Sequence, residues 1–173
     1  LLARKEKSGE AAKTAQLEQQ GYVIGLMAAR GGMGVCSLAA NLAASLFQKS
    51  QADVVLAELT PGQGSLMLDL GITAEEGLAG LLSKAPAEIT RNNVAEQLMP
   101  HDAGFKVLTA SNHPRDFQLI NQISQYENLV ARISTLGRYI VLDLGMGLPP
   151  FVQRLQPLIN ELIVVVEGIP NTI

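Results

Sequence analysis

The sequence lacks several features that would mark a specialised class of protein. Its 173 residues include one cysteine and no tryptophan, which excludes a disulfide framework and favours a reducing compartment. The net charge is −3, so there is no global basic field to hold nucleic acid or an anionic membrane. Apolar runs such as Leu162 to Val166 are far below the ~20 residues of a membrane span. We therefore expect a cytoplasmic globular protein with no nucleic-acid partner and no integral membrane span.

The first twenty residues differ from the rest of the chain. Residues 1–20 are polar and mixed in charge, with no apolar stripe wide enough to pack on a core. We interpret them as an interdomain linker, and we expect another domain before it. Residues 21–173 are then predicted to form one folded domain, which is ordinary for this length.

That domain alternates short apolar runs with helical patterns. Strands are predicted at Tyr22–Ala28, Val54–Leu59, Gln97–Pro100, Lys106–Ala110, Tyr139–Leu144 and Leu162–Val166, the third and fourth forming a hairpin. Helices are predicted at Val35–Lys49, Met67–Leu70, Leu78–Leu82, Asp116–Leu136 and Phe151–Ile159. Strands that are apolar on both faces are typical of a mostly parallel sheet covered by helices on both sides. The predicted fold class is α/β, doubly wound, and either small or truncated after its last strand.

A glycine-rich turn lies between the first strand and the first long helix. Glycines let the backbone approach an anion, and free N–H groups at a helix N-terminus point at it. A bare tight turn is the alternative. The predicted phosphate-binding loop comprises Arg30, Gly31, Gly32, Met33, Gly34, Val35, Cys36 and Ser37.

Three stretches of the sequence resemble the MinD/ParA family of P-loop ATPases. The loop Gly31–Gly34, with the Leu-Ala-Ala-Asn-Leu-Ala run at 38–43, resembles the family's deviant Walker A loop and first helix. Residues 54–66 resemble its second strand and switch region, especially in the CpaE/TadZ branch, and residues 139–145 resemble its Walker B strand. The resemblance implies a Rossmann-like P-loop NTPase fold, ATP with magnesium and a homodimer. It also implies an upstream receiver-like domain and Tad (type IVb) pilus assembly partners, at a cell pole or the inner face of the membrane.

The loop departs from the family pattern at the positions that hold charge. Val35 stands where the pattern has its P-loop lysine, Cys36 where it has the magnesium-binding threonine, and Arg30 where it has the signature lysine. Glu58 replaces a strand-end aspartate, while Asp143 is kept at the Walker B position. Losing the lysine and the hydroxyl together weakens nucleotide affinity by roughly 10²–10⁴. We therefore expect weak or no binding of ATP and magnesium, and no efficient hydrolysis.

Each of these residues also has a plainer interpretation. Arg30 either binds phosphate or is a solvated loop arginine. Ser37 either substitutes for the missing hydroxyl or is an ordinary helix N-terminal serine, and Cys36 has either a lowered pKa or an inert, half-buried thiol. Glu58 orients a water molecule, or holds a ribose, or is a remnant of a functional position that no longer has a role. Asp143 either holds a metal through water, together with Ser37 if magnesium binds, or is structural.

Three functional hypotheses follow. The first is a degenerate MinD/ParA-type module that acts by dimerising, with apolar loop residues such as Met33 and Val35 meeting across the interface. The second is a working ATPase that uses Arg30 and Ser37 as substitutes. The third is an NAD-type dinucleotide-binding domain, because the glycines and Ser37 approximate the Rossmann fingerprint and an acidic residue follows about 20 residues later.

Overall fold

A six-stranded sheet organises the residues that the structure, a computed structural model, describes: 20–72 and 76–168. The linker prediction therefore lies outside the described residues except for Gln20. The strands are β1 (Tyr22–Ala28), β2 (Val54–Glu58), β3 (Met99–Pro100), β4 (Lys106–Leu108), β5 (Tyr139–Met146) and β6 (Glu161–Val165). Their order is β3-β4-β2-β5-β1-β6, and every neighbouring pair is parallel except β3 with β4.

The sheet is parallel because its central strands are buried on both faces. In β2, Val55 and Ala57 join one apolar cluster, whereas Val54 and Leu56 join the cluster on the opposite face. All five residues of this strand are buried, so neither of its faces contacts water. This explains why the strand is a continuous run of apolar residues up to Glu58. The predicted α/β fold class with a mostly parallel sheet is confirmed.

Helices cover both faces of this sheet. They are α1 (Val35–Ser50), α2 (Leu66–Asp69), α3 (Gly77–Leu82), α4 (Arg91–Glu96), α5 (Ile123–Ile133) and α6 (Pro150–Leu155), with 3-10 turns at Pro86–Glu88, Pro114–Asn121 and Gln156–Leu158. The small side chains of Ala39 and Ala43 let α1 lie close against its face of the sheet. On the opposite face, α5 and α6 meet through the stacked rings of Tyr126 and Phe151.

The predicted helix Asp116–Leu136 is wrong in its first half. Residues Pro114–Asn121 form a 3-10 segment, and α5 begins only at Ile123, after Gln122 leaves helical geometry. The backbone of Phe117 lies directly against the turn at Gly62, where a Cβ would come within 2.7 Å of the Phe117 nitrogen. A tertiary contact thus shapes a stretch whose sequence favours an α-helix, and α1 is the longest helix in the described part of the chain.

Smaller differences lie at the edges of the sheet. The hairpin is confirmed, since β3 pairs antiparallel with β4. Helix α4 was not predicted, although Thr90 accepts a hydrogen bond from the Asn93 N–H as an N-cap should. Across residues 20–72 and 76–168, every helix is too short or too polar to reach through a bilayer.

Candidate functional site

The carboxyl ends of β1, β2 and β5 meet at a cavity of about 400 Å³. It is lined by Ala28, Arg30, Gly31, Gly32, Met33, Gly34, Val35, Cys36, Ser37, Thr60, Gln63, Ser65, Asp69, Gly145 and Met146. The crevice outside the carboxyl ends of parallel strands is the usual ligand site of such sheets. The structure therefore brings the whole predicted loop, Arg30 through Ser37, to one wall of this cavity.

The loop offers an anion a set of backbone donors. Gly32 and Gly34 have φ angles of 80° and 72°, a left-handed conformation that glycine adopts without the cost other residues bear. In the described part of the chain, none of the N–H groups from Gly31 to Ser37 donates a hydrogen bond. Unpaired donors at a helix N-terminus form an anion site, so the backbone of this loop fits a phosphate group.

The loop has no positive charge at the position of the resembled family's P-loop lysine. Val35 is only 8% exposed and packs among the apolar residues beneath α1. Arg30 is the one cation among the described residues that line the cavity, and it forms an ion pair with Glu167, just past β6. The guanidinium of Arg30 thus joins the loop to the end of the edge strand, at the rim of the cavity.

Cys36 lies half-buried at the start of α1. Burial, followed by the neighbouring carboxylate of Asp143, raises the pKa of its thiol to about 12. The hypothesis of a lowered pKa is therefore wrong, because desolvation and negative charge outweigh the helix N-terminus here. The alternative of a protonated, half-buried thiol agrees with the structure.

Glu58 is fully buried at the end of β2. Its Oε1 accepts hydrogen bonds from the N–H groups of Ser65 at 2.7 Å and Leu66 at 3.2 Å, and its Oε2 accepts one from Ala110 at 3.0 Å. Burial nevertheless raises the pKa of this carboxyl. Both oxygens accept backbone hydrogen bonds and Glu58 does not line the open cavity, which favours a structural role over contact with a ribose. Glu58 instead ties two loops to the strand end.

Asp143 is Glu58's register partner on β5 and is also fully buried. Its Oδ1 accepts a hydrogen bond from the Gly145 N–H at 2.9 Å. No described residue donates a hydrogen bond of normal geometry to its Oδ2. Burial raises the pKa of Asp143 and outweighs the opposing effects of the neighbouring Cys36 thiol and of the Gly145 N–H. One oxygen of this carboxylate is therefore poorly satisfied.

Replacing Asp143 with asparagine is expected to raise the free energy of unfolding by about 1–2 kcal/mol. The amide keeps an acceptor for the Gly145 N–H and removes a buried charge next to Glu58. Urea unfolding measures the change, with the exposed, cavity-lining Asp69→Asn as the charge-matched control, for which we expect less than about 0.5 kcal/mol. A destabilised Asp143→Asn variant would contradict this account of Asp143.

Ser37 and several unpredicted residues complete the cavity wall. The Ser37 side chain is exposed and does not cap α1, so its hydroxyl remains available to a ligand. Thr60 and Gln63 lie in the stretch that resembles the family's switch region, but neither they nor Asp69 were predicted as site residues; all three follow β2 along the chain. Residues that follow a buried parallel strand lie at its ligand-binding edge, and that signal could have found them.

The donor set does not fit magnesium, which the resembled family uses with ATP. Magnesium prefers hard oxygen ligands in octahedral geometry. At the position of the family's threonine the structure has a protonated thiol, which is a soft and unsuitable ligand. The site therefore fits a phosphate group through its backbone, and it does not fit a magnesium-bound triphosphate.

Several solved structures have a similar fold, and they include a ParA family ATPase and a MinD protein. The ParA family ATPase from Chlorobium tepidum TLS matches with a TM-score of 0.72 and 20% identity, over 87% of this chain and 62% of that one. The septum site-determining protein MinD from Pyrococcus horikoshii OT3, complexed with Mg-ADP, matches with a TM-score of 0.69 and 16% identity, over 84% and 58%. The plasmid partition protein BB_S35 from Borrelia burgdorferi B31, bound to AMPPNP, matches with a TM-score of 0.56 and 14% identity, over 85% and 63%.

These matches concern the fold and part of the length. The chain spans about three-fifths of each of these three structures. No protein-family model matches the sequence, and no curated protein does. At such identities the likeness is one of architecture. The chain has the α/β fold of the ParA- and MinD-type P-loop ATPases.

Proposed function

We propose that this chain is a degenerate MinD/ParA-type module of the CpaE/TadZ kind, with weak or no ATP hydrolysis. It acts as a dimerising localisation or assembly factor for Tad (type IVb) pilus machinery, in the cytoplasm at a cell pole or the inner face of the membrane. The observation that carries the proposal is the loop itself. Its backbone donors are free, while Val35 is packed into the core and Cys36 is protonated.

Phosphoryl transfer depends on a cation and a metal ion at the transferred group. Neither is supplied at the positions that the resembled family uses, because Val35 carries no charge and Cys36 does not suit magnesium. Together these changes cost about 3–6 kcal/mol of binding, or roughly 10²–10⁴ in affinity. A phosphate group held by backbone donors alone would then bind weakly and without turnover.

Apolar surface beside the cavity supports association with a second copy. Met146, the last residue of β5, and Leu148, two residues further on, are 53% and 51% exposed, and Met146 lines the same cavity as Met33 of the glycine-rich loop. In this proposal Met33, Met146 and Leu148 meet across a dimer in which no charged nucleotide is buried. The prediction that Val35 joins them is wrong, because Val35 is buried in the core beneath α1. The dimer is then constitutive, or it is governed by the upstream receiver-like domain.

Calorimetry with ATP, with and without magnesium, tests the proposal directly. We expect weak or no heat of binding, and no gain from magnesium, because the thiol of Cys36 is not a ligand for it. Phosphate release should equal that of an Asp143→Ala control, and light scattering should show a dimer without nucleotide. A monomer at every concentration tested would contradict the dimerisation.

The second candidate is a working ATPase with Ser37 and Arg30 as substitutes, and the free, exposed hydroxyl of Ser37 favours it. In that case turnover would exceed background and would fall in Ser37→Ala and in Asp143→Ala. Turnover lost in both variants would replace the proposal with this candidate.

A further inference from the structure

Three ligand-type side chains converge beneath the glycine-rich loop. The sulfur of Cys36 and one carboxylate oxygen each from Glu58 and Asp143 all lie within 4.8 Å of one another. They come from the start of α1 and the ends of β2 and β5, so the fold itself brings them together. Glu58 and Asp143 are fully buried, and Cys36 is half-buried.

The cluster holds an unsatisfied acceptor. Asp143 is fully buried, and its Oδ2 has no hydrogen-bond partner of normal geometry among the described residues. Its polar neighbours in the cluster are a weakly donating thiol and a second carboxylate. A buried acceptor normally finds a donor or a metal ion, and this one faces two further groups that can bind a metal.

The chemistry of the three groups selects the kind of cation. Thiolate sulfur binds zinc-class metals, and carboxylate oxygen is accepted by the same ions. Typical zinc bond lengths place tetrahedral ligand atoms about 3.5 Å apart. The three ligand atoms therefore need to approach one another by up to about 1 Å to reach the spacing of a zinc site, which side-chain rotations can provide.

We infer that Cys36, Glu58 and Asp143 form a binding site for one zinc-class divalent cation, distinct in chemistry from a nucleotide-bound magnesium site. On binding, a metal–sulfur bond forms and the thiol proton passes to solvent. The cation offsets two of the three negative charges that the thiolate and the two carboxylates then carry, which leaves a net charge of −1, and it supplies Asp143 Oδ2 with a partner. Since Cys36 also lines the open cavity, the ion can enter there, and its fourth position is open to water.

Cobalt(II) is the probe, because it takes zinc's geometry and absorbs light when bound to thiolate. Cys36 is the sole cysteine of the chain, so any sulfur-to-cobalt charge-transfer band reports this one residue. Without nucleotide, we expect the band to saturate at one cobalt per chain and to vanish in Cys36→Ser. Cobalt affinity should fall about 10-fold or more in Asp143→Asn and in Glu58→Gln. Zinc should displace the cobalt, and excess magnesium should not.

The exposed Asp102→Asn variant, in the turn between β3 and β4 and away from the cavity, is the matched control and should bind cobalt like the unaltered chain. Circular dichroism shows whether each variant is folded, and zinc should raise the Tm of the unaltered chain but not of Cys36→Ser. No thiolate band in the folded chain would overturn the inference. So would a band unchanged in both carboxylate variants, or saturation at one cobalt per two chains. Since no nucleotide is present, these results are independent of the proposed dimerisation and ATP binding.

Discussion

Replacing Val35 with lysine and Cys36 with threonine in one variant is expected to raise the affinity for ATP with magnesium by roughly 10²–10⁴. The lysine supplies a cation for the phosphates, and the threonine supplies a hard oxygen for magnesium. The backbone part of the phosphate-binding loop is already in place, since the N–H groups from Gly31 to Ser37 donate no hydrogen bond within the described residues. Calorimetry of the double variant beside the unaltered chain measures the gain.

Two comparisons make this result specific. A Val35→Leu, Cys36→Ala variant changes the same positions without adding charge or hydroxyl, and its affinity should stay at the level of the unaltered chain. Val35 is 8% exposed, so the lysine costs some packing, and urea unfolding must show that the double variant is folded. A folded double variant with no gain in affinity would mean that the backbone of the loop does not bind phosphate, and that the missing charge is not the sole reason for weak binding.

Truncating Glu58 to alanine is expected to lower the free energy of unfolding by about 3–5 kcal/mol. Three backbone N–H groups, those of Ser65, Leu66 and Ala110, would lose their acceptor. Each unsatisfied buried donor costs about 1–3 kcal/mol, and removing the buried charge beside Asp143 offsets part of the sum. Urea unfolding measures the loss.

Glutamine at the same position separates the two contributions. Glu58→Gln keeps one acceptor oxygen but turns a donor toward a backbone N–H, so we expect a loss smaller than that of the alanine variant. The exposed Glu96→Ala on α4 is the control and should change the free energy by less than about 0.5 kcal/mol. An alanine variant at position 58 within about 1 kcal/mol of the unaltered chain would show that Glu58 does not hold the loops.

The surroundings of Glu58 and Cys36 could not be predicted from the sequence, because both depend on residues that are distant along the chain. The sequence placed Glu58 at a strand end beside a possible ligand, and that position is correct. Its role depends on N–H groups of Ser65, Leu66 and Ala110, seven to fifty-two residues away. No local pattern predicts such bonds. Likewise, a helix N-terminus suggests a reactive thiol at Cys36, but the two carboxylates that oppose it arrive from other strands.

The strands, the first helix and the glycine-rich loop followed from the sequence alone, because apolar runs, helical spacing and positive-φ glycines are properties of neighbouring residues. Strand β1 has the predicted bounds, and α1 differs by one residue. The 3-10 winding before α5, the ion pair of Arg30 with Glu167 and the buried cluster of a thiol and two carboxylates were decided only by the tertiary structure. Each depends on groups that are far apart along the chain. Their burial and their electrostatic interactions arise only when folding brings them into contact.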